Sequence, residues 1–191
     1  EHPTSLSQDV LDDVIGKKFT IADTLVTHDT RWWGGEPLWV TVEKQGKRAA
    51  SYFWVGSDIV IAGRRPTWWK RYDGSVPNAE RVQTVLEWLA MPSDTGPAFV
   101  STYFSDVDDA GHTYGPGAPQ VDGAIARVDS MIGALVDGIA ERGLAGRVDI
   151  IVVSDHGMAN LAPERGIYVD DYIDLARVEM VDITPVGAIS P

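Results

Sequence analysis

The sequence contains no cysteine. Disulfides and thiolate metal sites are therefore excluded, and carboxylates and imidazoles are the side chains left to hold a borderline divalent ion. Histidine is scarce too, at four in 191 residues, so each one can be weighed by its position. Positive charge is in deficit: 16 Lys and Arg stand against 28 Asp and Glu, a formal net charge of -12. A field of that sign repels a nucleic-acid duplex and an anionic membrane as general partners, yet admits a small phosphorylated substrate where cations line its site. Runs of about 18 apolar residues are absent, so no membrane span is expected in this chain. No basic-then-apolar segment opens it either. It starts at Glu1 and stops at Pro191 with neither a helix end nor a polar tail, which reads as a single fragment, 1–191, truncated at both ends. Redox chemistry gives no compartment.

Hydrophobic residues make up 44% of the chain, enough for a sizeable core in about one domain. The stretch that organises the rest is Arg147-Val148-Asp149-Ile150-Ile151-Val152-Val153-Ser154-Asp155-His156-Gly157-Met158. Its near-continuous β-branched run predicts a strand covered on both faces of a parallel sheet. Asp155 and His156 would then stand at the carboxyl end, where such sheets place ligand groups. Successive strand residues point to opposite faces, so both can serve one ion only if the backbone turns, which Gly157 permits. On this stretch alone, a surface loop fits equally well. A second cluster, Tyr103-Phe104-Ser105-Asp106-Val107-Asp108-Asp109-Ala110-Gly111-His112-Thr113-Tyr114-Gly115-Pro116, follows another strand-like run at Ala98-Phe99-Val100-Ser101-Thr102-Tyr103.

Between these clusters, Val121, Ile125, Val128, Ile132, Leu135 and Ile139 repeat at helical spacing and Gly143 ends the pattern, predicting a crossover helix between parallel neighbours. Both clusters then lie at the same edge of one sheet. Val82, Val85, Leu86 and Leu89 predict a helix capped by Asn78. Residues 36–46 read as a helix opened by Pro37 and closed by Gly46, although Leu38, Val40 and Val42 also alternate as in a strand. Residues 49–54 read as a strand, 167–169 and 178–181 as short strands, and 10–15 as a short helix ended by Gly16. The aromatic stretch 27–36, with His28 and Asp29, reads as a packed loop.

Asp108 and His112 lie four apart, so one helical turn brings both to one face; Gly111 and the Gly115-Pro116-Gly117 run argue against a longer helix. With Asp155 and His156 they make two oxygen-nitrogen pairs suited to zinc or a similar cation. A two-metal hydrolase needs two such sets, with ions roughly 4 Å apart clamping the attacking and leaving oxygens. Each catalytic zinc takes about three protein ligands. Asp108, His112, Asp155 and His156 therefore leave a shortfall, and His2 and His28 have no matching partner, so the missing ligands are expected outside this chain. No catalytic nucleophile presents itself; Ser154 reads as structural.

At this point the sequence resembles the nucleotide pyrophosphatase/phosphodiesterase family of the alkaline phosphatase superfamily. Asp108-Asp109-Ala110-Gly111-His112-Thr113-Tyr114-Gly115-Pro116 is similar to that family's first metal motif and Ser154-Asp155-His156-Gly157-Met158 to its second. Gly35-Glu36-Pro37-Leu38-Trp39-Val40-Thr41, Phe53-Trp54-Val55-Gly56-Ser57-Asp58 and Tyr72-Asp73-Gly74-Ser75-Val76-Pro77 resemble further family stretches, in the family's order. Ser105-Asp106-Val107 is more similar to bacterial members than to animal ones. Val55 replaces a frequent proline. The family's phosphate-binding asparagine would fall near Gln8, which is not an asparagine.

The resemblance implies an α/β, three-layer α/β/α, alkaline phosphatase-like fold with a mostly parallel central sheet, incomplete here. It implies Zn2+, two ions in the complete enzyme: one on Asp108 and His112 with a downstream histidine, the other on Asp155 and His156 with an upstream aspartate. A threonine upstream of Glu1 would form a nucleotidyl-threonine intermediate, releasing a nucleoside monophosphate. Tyr72, Tyr103 and Trp54 would bind the small-molecule nucleotide, and a periplasmic or extracellular place would follow. By itself the fragment is expected to be inactive. Alternatives are a phosphomonoesterase, a phosphonate hydrolase or a lipid phosphodiesterase of the same superfamily, or a non-catalytic metal-binding fragment.

Overall fold

The computed structural model describes residues 9–12, 15, 17–20, 23–182 and 188–190; His2 and Gln8 lie outside them. The chain divides into two compact units, residues 1–34 with 160–191 and residues 35–159. The elements in chain order are β1 (Asp9–Asp12), β2 (Lys17–Thr20), α1 (Thr24–Thr27), α2 (Leu38–Lys44), β3 (Ala49–Tyr52), β4 (Trp68–Lys70), α3 (Asn78–Leu89), β5 (Phe99–Thr102), α4 (Asp106–Tyr114), α5 (Pro119–Glu141), β6 (Glu179–Asp182) and β7 (Ala188–Ser190), with short 3₁₀ turns between some of them. No helix among the described residues is long and apolar enough to cross a membrane.

In the smaller unit, β1 pairs antiparallel with β2 and β6 with β7. The helix expected over residues 10–15 is thus a strand over its first part. Apolar residues at 10, 11, 14 and 15 suit a helical turn, but so short a pattern is settled by whichever backbone partner is available. The strand expected at residues 167–169 is also corrected: Val169–Asp171 forms a 3₁₀ turn. Asp23 caps α1 by accepting from the Leu25 amide at 2.9 Å, as a short acidic side chain at that position should. The 27–36 stretch packs as expected, with Phe19 against Trp32 at 5.4 Å and the Trp33 indole donating to the Thr27 carbonyl at 2.7 Å.

The larger unit is α/β. Its sheet has the order β4-β3-β5, and both pairings are parallel. β3 is buried at every residue, and opposite residues Ser51 and Ser101 satisfy one another by a 2.9 Å hydroxyl hydrogen bond inside the sheet. Glu43, near the end of α2, accepts from the Ala49 amide and from the Thr67 amide and hydroxyl at 2.7–2.9 Å, so one carboxylate fixes the approach to two strands. Within residues 36–46 the helix is Leu38–Lys44, with Trp39 and Val40 buried; Pro37 stands just before it, at the N-cap in extended backbone, rather than at its first position. α3 buries Val82, Val85, Leu86 and Trp88. Leu86 nests on the bare backbone of Gly138 in α5, where any Cβ would collide with its methyl groups.

α5 runs for 23 residues, as its apolar spacing predicts, burying Val121, Ala124 and Ile139. Ile125 is nevertheless exposed: the stripe is buried only where α3 and α4 meet it. Asn78 does not cap α3 with its side chain; Pro77 is the N-cap, and Asn78 Nδ2 donates instead to Asp106 Oδ2 at 2.8 Å. Residues 148–153 are the main departure. Val148 packs against the cluster of Val82, Leu86, Ile139 and Leu144, but the run joins no ladder, and Ile151, Val152 and Val153 are 83%, 67% and 66% exposed. The buried strand expected there is not formed: the run pairs with none of β4, β3 and β5.

Candidate metal and nucleotide site

The three parallel strands deliver their next residues to one edge. Phe53 and Trp54 follow β3, Tyr72 follows β4 and Tyr103 follows β5, the carboxyl-end position at which open parallel sheets bind ligands. The rings of Phe53 and Tyr72 are 5.3 Å apart and nearly perpendicular, and those of Tyr72 and Tyr103 are 6.4 Å apart. Phe53 is buried at a backbone φ of +70°, a left-handed conformation that a bulky residue holds only under constraint. The turn lets Tyr52 and Phe53, which an ideal strand would send to opposite faces, enter one core with ring centroids 4.5 Å apart. Trp54 is 40% exposed, and the sheet edge brings it no ring partner among the described residues. Tyr103 is half-buried; burial, then the charges of Asp108 and Asp155, push its phenol well above the usual range.

β5 leads directly into α4, which carries the first carboxylate-imidazole pair. The helix is nine residues long despite Gly111, exceeding the single turn expected. Asp106, Asp108 and Asp109 occupy its first turn, where negative charge suits the helix dipole. It stops at Gly115, whose φ of +86° is open to glycine and whose amide bonds the Gly111 carbonyl. Asp108 Oδ1 lies 3.5 Å from His112 Nε2, four residues along.

The second pair meets the first. His156 Nε2 is 3.9 Å from the same Asp108 oxygen and 3.8 Å from Asp155 Oδ2. Gly111 explains how the segment reaches α4: a Cβ on it would lie 2.6 Å from Met158 Sδ, so the bare glycine admits Met158, two residues beyond His156. Asp155 accepts from the His156 amide at 3.0 Å, and His156 Nδ1 contacts the Gly157 carbonyl at 3.0 Å. Both carboxylates thus stand beside imidazole.

The donor chemistry fits a borderline divalent cation. Asp108 Oδ1 is buried, makes no hydrogen bond among the described residues and faces two imidazole nitrogens. An orphaned carboxylate oxygen is costly in a protein interior, and a cation would satisfy it. No group of three or more such side chains closes around one point among the described residues. His28 takes no part in this cluster; its Nδ1 contacts the Thr24 carbonyl at 2.7 Å.

One sheet edge thus carries the aromatic rings of Phe53, Tyr72 and Tyr103, and the helix that follows β5 carries a carboxylate-imidazole cluster, donor types that suit a borderline divalent cation. Residues 6–191 match the family model described as Type I phosphodiesterase / nucleotide pyrophosphatase, and the chain belongs to that family, within the alkaline phosphatase superfamily. It is 41% identical over 151 residues to human ectonucleotide pyrophosphatase/phosphodiesterase family member 1, covering 78% of this chain and 16% of that protein. Venom phosphodiesterase of Macrovipera lebetinus is 37% identical over 169 residues, covering 88% of this chain and 20% of that protein. Among solved structures, an inactive variant of murine ectonucleotide pyrophosphatase / phosphodiesterase 5 in complex with AMP superposes with a TM-score of 0.87 at 30% identity, over 97% of this chain and 49% of that one. The chain therefore spans about half of that solved structure and a fifth or less of these curated relatives.

Phe53 and Met158 fall inside motif stretches that the sequence singles out, without a role of their own there, and Arg81 falls outside all of them. Arg81 had a signal: a cation beside Val82 and one turn before Val85 falls within the apolar face of α3.

Proposed function

We propose that the protein carrying this chain is a zinc-dependent hydrolase of nucleotide phosphodiester or pyrophosphate bonds that releases a nucleoside monophosphate. The observation that carries this reading is the convergence of two distant motifs, His156 approaching within 3.9 Å of Asp108 Oδ1. In this proposal Asp108 and His112 hold one ion, and Asp155 and His156 the other. The bound zinc ions supply Lewis-acid stabilisation of charge on the phosphoryl oxygens and lower the pKa of the attacking group.

The chain's own residues bind and orient. Tyr72 and Tyr103, with Trp54 at the rim, take the base by ring contact, and the relative in complex with AMP is similar in fold over 97% of this chain. α4 holds Asp108 and His112 on one face at fixed separation. Met158 against Gly111 keeps His156 beside them. The threonine of the nucleotidyl-threonine intermediate and the remaining ligands belong, in this proposal, to polypeptide outside residues 1–191. This chain is then a central part of a larger catalytic domain, and the open run 148–153 is one of its sheet strands. A bacterial type of enzyme, placed outside the cytoplasm, completes the reading; the ecto- and venom names of the relatives support the location.

The test is zinc content and hydrolysis of a nucleotide nitrophenyl ester by the whole protein, beside Asp108→Ala and His156→Ala. Wild type should hold about two zinc ions. Removing a ligand should cost at least the about 10- to 100-fold seen when a ligand's supporting partner is lost. Activity that survives both substitutions would show the residues to be structural.

A further inference from the structure

Arg81 is 2% exposed, and among the described residues no carboxylate lies within ion-pair distance of it. A buried guanidinium is expensive, and an apolar side chain of similar volume would fill its place more cheaply. What it does with its charge is specific. Nε and Nη2 donate to the Val76 carbonyl at 3.3 and 3.0 Å, and Nη1 donates to the Tyr103 carbonyl at 3.0 Å. Its Cζ stands 5.0 Å over the ring of Phe53.

These three contacts fall on three separate segments: the turn after β4 that begins at Tyr72, the end of β5 and the end of β3. They are the segments whose rings touch one another in series, Phe53 to Tyr72 to Tyr103. A planar, five-donor group can hold two carbonyls and a ring face at once, whereas an ammonium offers a single point of charge. Hydrogen bonds from Ser75 hold the Asp73 carboxyl below its usual range, with a further contribution from the Arg81 charge, so the guanidinium is also felt along the same turn.

We propose that Arg81 is a positioning residue for the base-binding rings and thereby sets preference for nucleotide over base-free phosphodiesters. The inference rests on the nucleotide reading above. It assigns Arg81 no contact with substrate or metal. Its effect passes through the backbone of Val76 and Tyr103 and through the ring of Phe53.

The experiment compares a thymidine monophosphate nitrophenyl ester with bis(nitrophenyl) phosphate, using the whole zinc-loaded protein as wild type, Arg81→Met, Arg81→Lys and Phe53→Leu. Arg81→Met should lower the ratio of the two kcat/KM values about tenfold, chiefly through KM for the nucleotide ester. Arg81→Lys should give a smaller fall in the same direction. Arg81→Met combined with Phe53→Leu should fall short of the sum of the single effects, since both act on one pocket. Both esters falling in parallel would make Arg81 merely structural and overturn the proposal, as would an unchanged ratio. If Arg81→Met fails to fold, Arg81→Lys decides, and an unchanged ratio there overturns the proposal equally. If wild type hydrolyses neither ester, the nucleotide reading has failed and the role of Arg81 fails with it; an active wild type isolates the question to Arg81.

Discussion

β3 and residues 148–153 are both short strand-like runs in the same unit, and the less apolar of the two is the buried one. β3 reads Ala-Ala-Ser-Tyr and is covered at every position, while Ile151, Val152 and Val153 stand in the open. The difference lies in neighbours. β3 has a parallel partner on each side and α2 and α3 against it, so its serine is satisfied and its tyrosine packed. Residues 148–153 have the greater appetite for burial and pair with no strand. Hydrophobicity states what a segment needs; adjacent backbone decides whether it obtains it.

Tyr52→Ala should give the largest effect in this comparison. Tyr52 is 2% exposed and packs on Phe53 and Trp88, and removing such a ring costs about 3–5 kcal/mol. Urea unfolding of this chain would measure it, and a loss below about 1 kcal/mol would show β3 to be less central than its burial indicates. Gly111→Ala comes next. Met158 must shift, and because it is the flexible tip of a side chain that meets the new Cβ, the cost should be about 1 kcal/mol, at the low end for overpacking. The sharper expectation is weakened zinc binding in the whole protein, read by chelator competition. Unchanged affinity would mean that Met158 does not help hold His156. Val152→Asp should have the smallest effect, within about 0.5 kcal/mol in this chain, as at other exposed sites. In the whole protein, where the run is proposed to be a sheet strand, the same change should be strongly destabilising. Equal, small effects in both would remove that role.

The elements legible in the sequence were those whose local pattern and tertiary partner agree. α5 follows from its apolar spacing and its terminators, α3 from four apolar positions up to Leu89, and the strand ending at Thr102 from its position before the ligand cluster. β4 went unrecognised, since Trp68-Trp69-Lys70 is too short to show alternation. The candidate cluster was legible because carboxylate and imidazole in close succession are chemically conspicuous, and Asp108, His112, Asp155 and His156 do lie near one another. Their supports were not. Nothing in the local sequence says that Gly111 will meet Met158 or that Arg81 will reach Tyr103, for these are contacts between segments distant in the chain.

Phe53 carries a consequence of another kind. Its backbone sits where glycine is at ease and an L-residue carries a penalty of about 1–2 kcal/mol, while its side chain supplies the ring that touches both Tyr52 and Tyr72. The residue most at ease in that conformation, glycine, has no ring to offer. Glycine would relax the turn and empty the core; asparagine would tolerate the turn and offer no aromatic face; a β-branched residue would satisfy neither. At this position the protein gives up conformational ease for a ring, so tolerance to change should be narrow there, bounded on one side by steric law and on the other by the pocket.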